Sequence, residues 1–380
     1  MRIIKRKKMK IRRRLALTVS VMLIGSMLSG CMKKEEVATE PADTQTAEEA
    51  RLFSEGVDTS IEVTGYHKFT GADASCFLKA GDKVAVISPS SLPTRAQADA
   101  TINGLKEWGY VPVEGKYVCT ADRTLDNCRE DLEWALSDPE IKAVFCVRGG
   151  YASCEVMEAM NRKLISEARK PIIGFSDITA CHSTWTRAGV PSIHASMSAA
   201  FSDLPEECTE VEKKILQGEI PTYKCAGSEY DKQGTAEGIL VGGNLTIMTT
   251  VANTEYDSTK LDQPYILFLE DCECDYHQVH YSMTVLKNSG VLDHASGIIL
   301  GEWTDTDPEP GDYTGDSRGG QFRGVYDMVY RQFLKDLDVP IAYGFPAGHG
   351  EKNYPLLMGE KVRLSVTQSN FTIEWPDAGK

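Results

Sequence analysis

Pro171-Ile172-Ile173-Gly174-Phe175-Ser176-Asp177-Ile178-Thr179-Ala180 packs a short apolar run, a tight polar turn and the start of a second periodic segment into ten residues. Pro171–Gly174 reads as a buried strand, Phe175-Ser176-Asp177 as its exit and Ile178–Ala188 as the helix that follows. The same unit recurs upstream. Lys83–Ser88 is a strand ending in Pro89-Ser90-Ser91, with a helix over Ala96–Gly109 and a strand over Val111–Glu114. Thr124–Ser137 is helical, Ala143–Val147 is a strand ending in Arg148-Gly149-Gly150, and Ala152–Ala159 is a helix. Strands alternating with helices specify βαβ units and a parallel sheet, so the fold class is α/β. In such sheets the functional groups gather at the carboxyl ends of the strands, where Pro-Ser-Ser, Arg-Gly-Gly and Phe-Ser-Asp all fall.

Downstream, residues 206–236 are acidic, polar and weakly periodic and read as a linker. A second unit, 237–375, opens with Gly238-Ile-Leu-Val-Gly242-Gly243-Asn244. It continues through a strand at Tyr265–Leu269, a helix to about Leu286, a strand at Gly297–Leu300 and a closing pair near Pro340 and Val362. The Asp-, Gly- and Thr-rich stretch 302–320 is too long for a bare connector, which suits a loop lining a site.

The chain has 380 residues, is 42% hydrophobic and 25% charged, and has a formal net charge of −14. That composition excludes disordered and fibrous classes for the bulk. Nine Lys/Arg and no acid fall within residues 1–30, so the remainder carries −23. So acidic a body repels the phosphate backbone, which argues against a nucleic-acid partner. The basic start is followed by the apolar run Leu15–Leu28 and by Leu28-Ser29-Gly30-Cys31. A positive region, a 14-residue apolar stretch and a small-residue exit form a signal peptide over 1–30. The Leu-Ser-Gly-Cys ending resembles a bacterial lipobox, which makes Cys31 the lipidated first residue of the mature chain. Residues 31–76, charged and poor in large apolar side chains, read as a disordered tether and lead-in to an α/β domain at 77–205. An extracytoplasmic, membrane-anchored protein is expected.

Ten further cysteines leave the disulfide state open. Cys272-x-Cys274-x2-His277-x2-His280 carries zinc-type ligands, but the spacing is too compressed for two pairs to approach one ion, so no metal is expected.

Ser176 sits between a strand and a helix, the setting of a nucleophile elbow. A helix-capping role for Ser176 or Asp177 fits the same pattern. The two glycines of Arg148-Gly149-Gly150-Tyr151 suit either a ligand-facing turn or a turn needing positive φ. Among seven histidines, His349 stands between Gly348 and Gly350 on a loop, where a ring is presented without crowding. Glu270 follows five apolar residues; it ends a strand either facing water or buried with a partner.

Seven blocks together resemble the LD-carboxypeptidase family of serine peptidases: Ala85–Ser91, Arg148–Tyr151, Gly174–Ala180, Gly242–Leu245, Phe268–Asp271, Gly297–Gly301 and Gly344–Gly350. They occur in the family's order across roughly residues 79–366. The resemblance implies a Ser176–His349–Glu270 triad and an oxyanion hole from the amides of Asp177, Gly149 and Gly150. Substrate contacts are expected at Arg148 and Asn244. It also implies a smaller β-rich C-terminal domain, an active site between the domains and a homodimer. No metal or organic cofactor is required. The implied activity is removal of the terminal D-alanine from peptidoglycan stem tetrapeptides. A microcin-C-type immunity peptidase is the near alternative, and a non-catalytic solute-binding lipoprotein the distant one. Two features depart from the family pattern: Ala152 stands where a glycine is usual, and the 302–320 loop is longer and more acidic.

Overall fold

Strands with no polar face need cover on both sides, and the apolar runs of this chain find it in two sheets lined with helices. The structure, a computed structural model, describes residues 57–70, 76–306 and 322–376. The expected signal peptide, Cys31, residues 31–56 of the expected tether and most of the loop after Glu302 lie outside the described residues. In chain order the strands are β1 Ile61–Lys68, β2 Lys83–Ile87, β3 Val111–Glu114, β4 Ile141–Cys146, β5 Ile172–Gly174, β6 Ser192–His194 and β7 Glu219–Ala226. They continue with β8 Gly234–Asn244, β9 Tyr265–Cys272, β10 Gly297–Thr304, β11 Ile341–Tyr343, β12 Leu356–Met358, β13 Lys361–Val366 and β14 Asn370–Glu374.

The six-stranded sheet has the order β12-β6-β5-β4-β2-β3. Its β2–β6 members run parallel, as the alternation of strands and helices requires. Its outer strand β12 comes from the far end of the chain and pairs antiparallel with β6. The eight-stranded sheet has the order β1-β7-β14-β13-β8-β9-β10-β11. Four parallel strands, β8 to β11, form one half, and antiparallel strands form the other. One apolar cluster joins Val86, Phe145 and Ile173 of the first sheet to Phe268, Ile299 and Leu364 of the second. The sheets thus share a core, and their strand ends meet.

Two expectations are corrected. The lead-in before residue 77, kept outside the α/β domain, contains β1, which pairs with β7 from Ile61↔Cys225 to Lys68↔Glu219. Ile61 and Val63, two residues apart, face the core and drive it. The linker at 206–236 holds the helix Glu206–Leu216 and strand β7. Cys208, Val211, Glu212, Ile215 and Leu216 are buried at helical spacing, and their acidic neighbours mask that stripe in the sequence. All ten described cysteines are free thiols. Among the described residues no helix is long and apolar enough to cross a membrane.

Candidate active site

Strand β5 stops at Gly174, and a short 3₁₀ turn, Ser176–Ile178, leads into the helix Thr179–Arg187. Ser176 occupies that turn with φ +65°, a conformation that costs a non-glycine residue about 1 kcal/mol or more and recurs where a side chain must be presented. The capping alternative does not hold, because neither Ser176 nor Asp177 caps this turn or the helix after it through its side chain. The Asp177 carboxylate is buried and turned the other way. It accepts from Ser90 Oγ at 2.5 Å and from the Ser153 backbone N–H at 2.9 Å, while Ser153 Oγ donates to the Asp177 carbonyl. One side chain therefore ties the ends of β2, β4 and β5 together.

The Arg148–Gly150 turn presses against Ser176. A Cβ on Gly149 would lie 2.9 Å from Ser176 Cβ, 3.1 Å from its hydroxyl and 3.3 Å from the Asp177 amide nitrogen. Only glycine admits that close approach of the two turns at Ser176. Gly150 leans toward Ser91 instead. Arg148 folds back over the turn, donating to Leu92 O at 3.3 Å and Gly149 O at 3.2 Å.

The acid and the imidazole come from the other sheet. Glu270, fully buried near the end of β9, accepts from His349 Nδ1 at 2.7 Å. That bond leaves Nε2 as the ring nitrogen not engaged by the acid. His349 is 19% exposed, and its ring lies 4.8 Å from that of Phe175, the residue before the serine. Burial alone pulls the imidazole down. The Glu270 carboxylate and the Cys272 thiol more than offset this and hold it well above its ordinary 6.5. Gly348 has φ +134°, and a Cβ there would sit 2.8 Å from Glu270 Oε2, so the His349 loop can pass Glu270 only as glycine.

The structure thus brings Ser176, Asp177, Gly149, Glu270 and His349 to one junction of strand ends. Asn244, paired across β8 and β9 with Glu270, lies beside them, but its side chain is engaged with protein groups. Its amide donates to Asp271 at 2.8 Å, and its carbonyl accepts from Ile247 N–H. Three neighbours are not placed at this site by the sequence reading. Cys272 lies two residues beyond Glu270 on the same face of β9, a period-2 signal present in the sequence. Glu302 near the end of β10 occupies the place that Glu270 has on β9. His182, buried behind the elbow, donates through Nε2 to Gly174 O at 2.8 Å and is kept neutral by burial, its pKa lowered to about 4. Among the described residues, no three or more His, Cys, Asp or Glu side chains gather as a metal site.

A serine at positive φ after a strand, pressed by a glycine turn, with a carboxylate-bound imidazole packed on the residue before it, is an arrangement suited to a serine hydrolase. Residues 84–195 match the LD-carboxypeptidase N-terminal domain and 237–364 the LD-carboxypeptidase C-terminal domain. A carboxypeptidase homologue of Synechocystis sp. is 30% identical over 295 residues, covering 76% of this chain and 92% of its own. The murein tetrapeptide carboxypeptidase of Pseudomonas aeruginosa is 27% identical over 71% of this chain and 89% of its own. The crystal structure of muramoyltetrapeptide carboxypeptidase from Oxalobacter formigenes superposes with a TM-score of 0.67 at 22% identity, over 77% of this chain and 97% of that one. The microcin C7 self-immunity protein MccF superposes at 0.64 and 21%, over 79% and 98%. The chain belongs to the LD-carboxypeptidase family and is a serine-type carboxypeptidase.

Two predictions follow from the local geometry. Ala152 has φ +100° at the foot of the Arg-Gly-Gly-Tyr turn, where the family pattern has glycine. Ala152→Gly relieves that strain by more than the added glycine freedom costs, so denaturant unfolding should show a gain of about 0.5–1 kcal/mol. Burial and Glu351 push the Glu302 carboxyl up from 4.5 to about 7. The folded state therefore binds this proton more tightly than the unfolded chain, and its contribution is lost as pH rises from 4.5 through about 7. Melting temperatures from pH 4.5 to 8 should fall less steeply in Glu302→Gln than in the parent protein; parallel curves would refute the assignment.

Proposed function

We propose that this protein is a serine LD-carboxypeptidase that removes the terminal D-alanine from peptidoglycan stem tetrapeptides. The observation that carries the chemistry is the convergence of the strained Ser176, the Glu270-bound His349 and the amides beside Gly149 at one strand-end junction. The murein peptidase named among the relatives supports the substrate.

His349 Nε2 takes the Ser176 proton as Oγ attacks the scissile carbonyl. The Asp177 and Gly149–Gly150 amides receive the negative charge that develops on the carbonyl oxygen. Glu270 stabilises the imidazolium and fixes the ring's tautomer through Nδ1. The imidazolium then protonates the leaving amine of D-alanine, and water, activated by the same ring, releases the acyl group. Arg148, on the turn beside Ser176, remains the candidate for a contact to the substrate, whereas the buried Asn244 side chain is held by Asp271 and Ile247. The reading extends to a homodimer, and to an extracytoplasmic location with the chain held at the membrane through acylated Cys31.

Purified tetrapeptide muropeptides incubated with the enzyme should lose one alanine by mass. Ser176→Ala and His349→Ala should each cost on the order of 10⁴-fold or more in kcat, and the double variant little beyond either. Glu270→Gln should lose less. It should also move the acid limb of kcat/KM to lower pH, because removing the carboxylate removes the charge that holds the imidazole up. Activity retained by Ser176→Ala would end the serine mechanism. Hydrolysis of aminoacyl-nucleotide sulfamates in place of muropeptides would favour the immunity-peptidase reading.

The anchor has its own test. Cys31→Ser, motivated by the Leu-Ser-Gly-Cys ending, should shift the protein from the membrane fraction to the soluble one with kcat unchanged; a Ser variant that stays in the membrane fraction defeats the lipid anchor.

A further inference from the structure

The proposed nucleophile stands on the six-stranded sheet and the proposed base on a loop beyond the eight-stranded one, so something must fix the gap between them. His349 lies on the stretch that leaves β11 and returns through β12 to pair with β6 of the nucleophile's sheet. Tyr354 N–H closes this stretch on Pro346 O at 2.9 Å. Inside the closed loop lies Asn353, only 1% exposed. Its carbonyl Oδ1 accepts from Gly348 N–H at 3.1 Å, in the peptide next to the base, and its Nδ2 donates to Ser196 Oγ at 3.1 Å. Ser196 is also buried and lies two residues past the end of β6, whose His194 pairs with Gly174 at the start of the elbow. The helix Glu206–Leu216 backs this bridge with Glu212, fully buried and facing the Ser196 backbone.

We propose that Asn353 and Ser196 are a positioning pair that sets His349 against Ser176 across the two sheets. Both amide bonds are buried, so each is held in a fixed direction rather than exchanged with water. Neither residue touches substrate; the pair acts through the placement of the imidazole, and a misplacement of about 1 Å costs roughly 10²-fold in rate. This inference rests on the triad assigned above.

The test uses the full chain and muropeptide hydrolysis, with Ser176→Ala run in parallel. Asn353→Leu keeps the side chain's volume and removes both bonds; kcat should fall about 10²-fold with KM within about twofold. Asn353→Asp keeps an acceptor for Gly348 N–H and a second one that Ser196 Oγ–H can serve, so it should stay within about tenfold of the parent. Ser196→Ala removes one bond and should fall between the two. It also serves as the readout should Asn353→Leu not fold. Thermal melts on the same preparations give the folded fraction. Parent-level kcat per folded molecule in Asn353→Leu or in Ser196→Ala, or a rise in KM at unchanged kcat, overturns the positioning role. If Ser176→Ala is itself active, it is the triad that fails.

Discussion

The 2.7 Å bond between Glu270 and His349 is the contact around which the junction is built. Glu270 has no exposed surface, and its Oε1 has no hydrogen-bond partner among the described residues. A buried carboxylate left without a partner costs several kcal/mol, so the imidazole is held where it is by the acid's need as much as by its own loop. That requirement propagates outward. Gly348 must be glycine to pass the carboxylate, and the loop must return at once toward β12. The edge of the six-stranded sheet is thereby closed with a strand that follows the base in sequence.

A second carboxylate organises the opposite wall. Asp177, next to Ser176, spends both its side chain and its carbonyl on Ser90 and Ser153, which belong to the segments leaving β2 and β4. Two non-glycine residues with positive φ, Ser176 and Ala152, lie within this cluster. Strained backbone persists only where its surroundings over-determine it, and here the bonds to Asp177 supply that determination. Ser176 is left partly exposed beside groups that are tied down.

How much of this was legible in the sequence depended on whether the signal was local. The parallel sheet was, because each of β2, β4 and β5 is an apolar run ended by a turn and followed by a helical period. Ser176 was legible by its place at such an exit, His349 by its flanking glycines and Glu270 by its place after five apolar residues, but only the resemblance joined the three. The helix Glu206–Leu216 was hidden because its buried stripe includes Glu212, a charge that dilutes the apolar period. Strand β1 was hidden because five of its eight residues are exposed and its partner β7 lies about 160 residues away. Asn353 and Ser196 carried no readable signal. Each is an ordinary polar residue whose meaning arises from a bond spanning 157 positions.

The same geometry bears on whether the cleft binds or reacts. A solute-binding protein gains affinity from groups that match its ligand in the ground state, and nothing in that task requires a serine at φ +65° or an imidazole raised by a buried acid. Both features carry an energetic cost in the resting protein. Such costs are recovered where charge moves: a proton leaves a hydroxyl, and an oxyanion forms beside amides already in place. The glycine at 149, which lets the two turns approach closely at Ser176, gives up side-chain packing for the same end. Strain, buried charge and lost packing converge on Ser176, and a ground-state binding role gives no use for them.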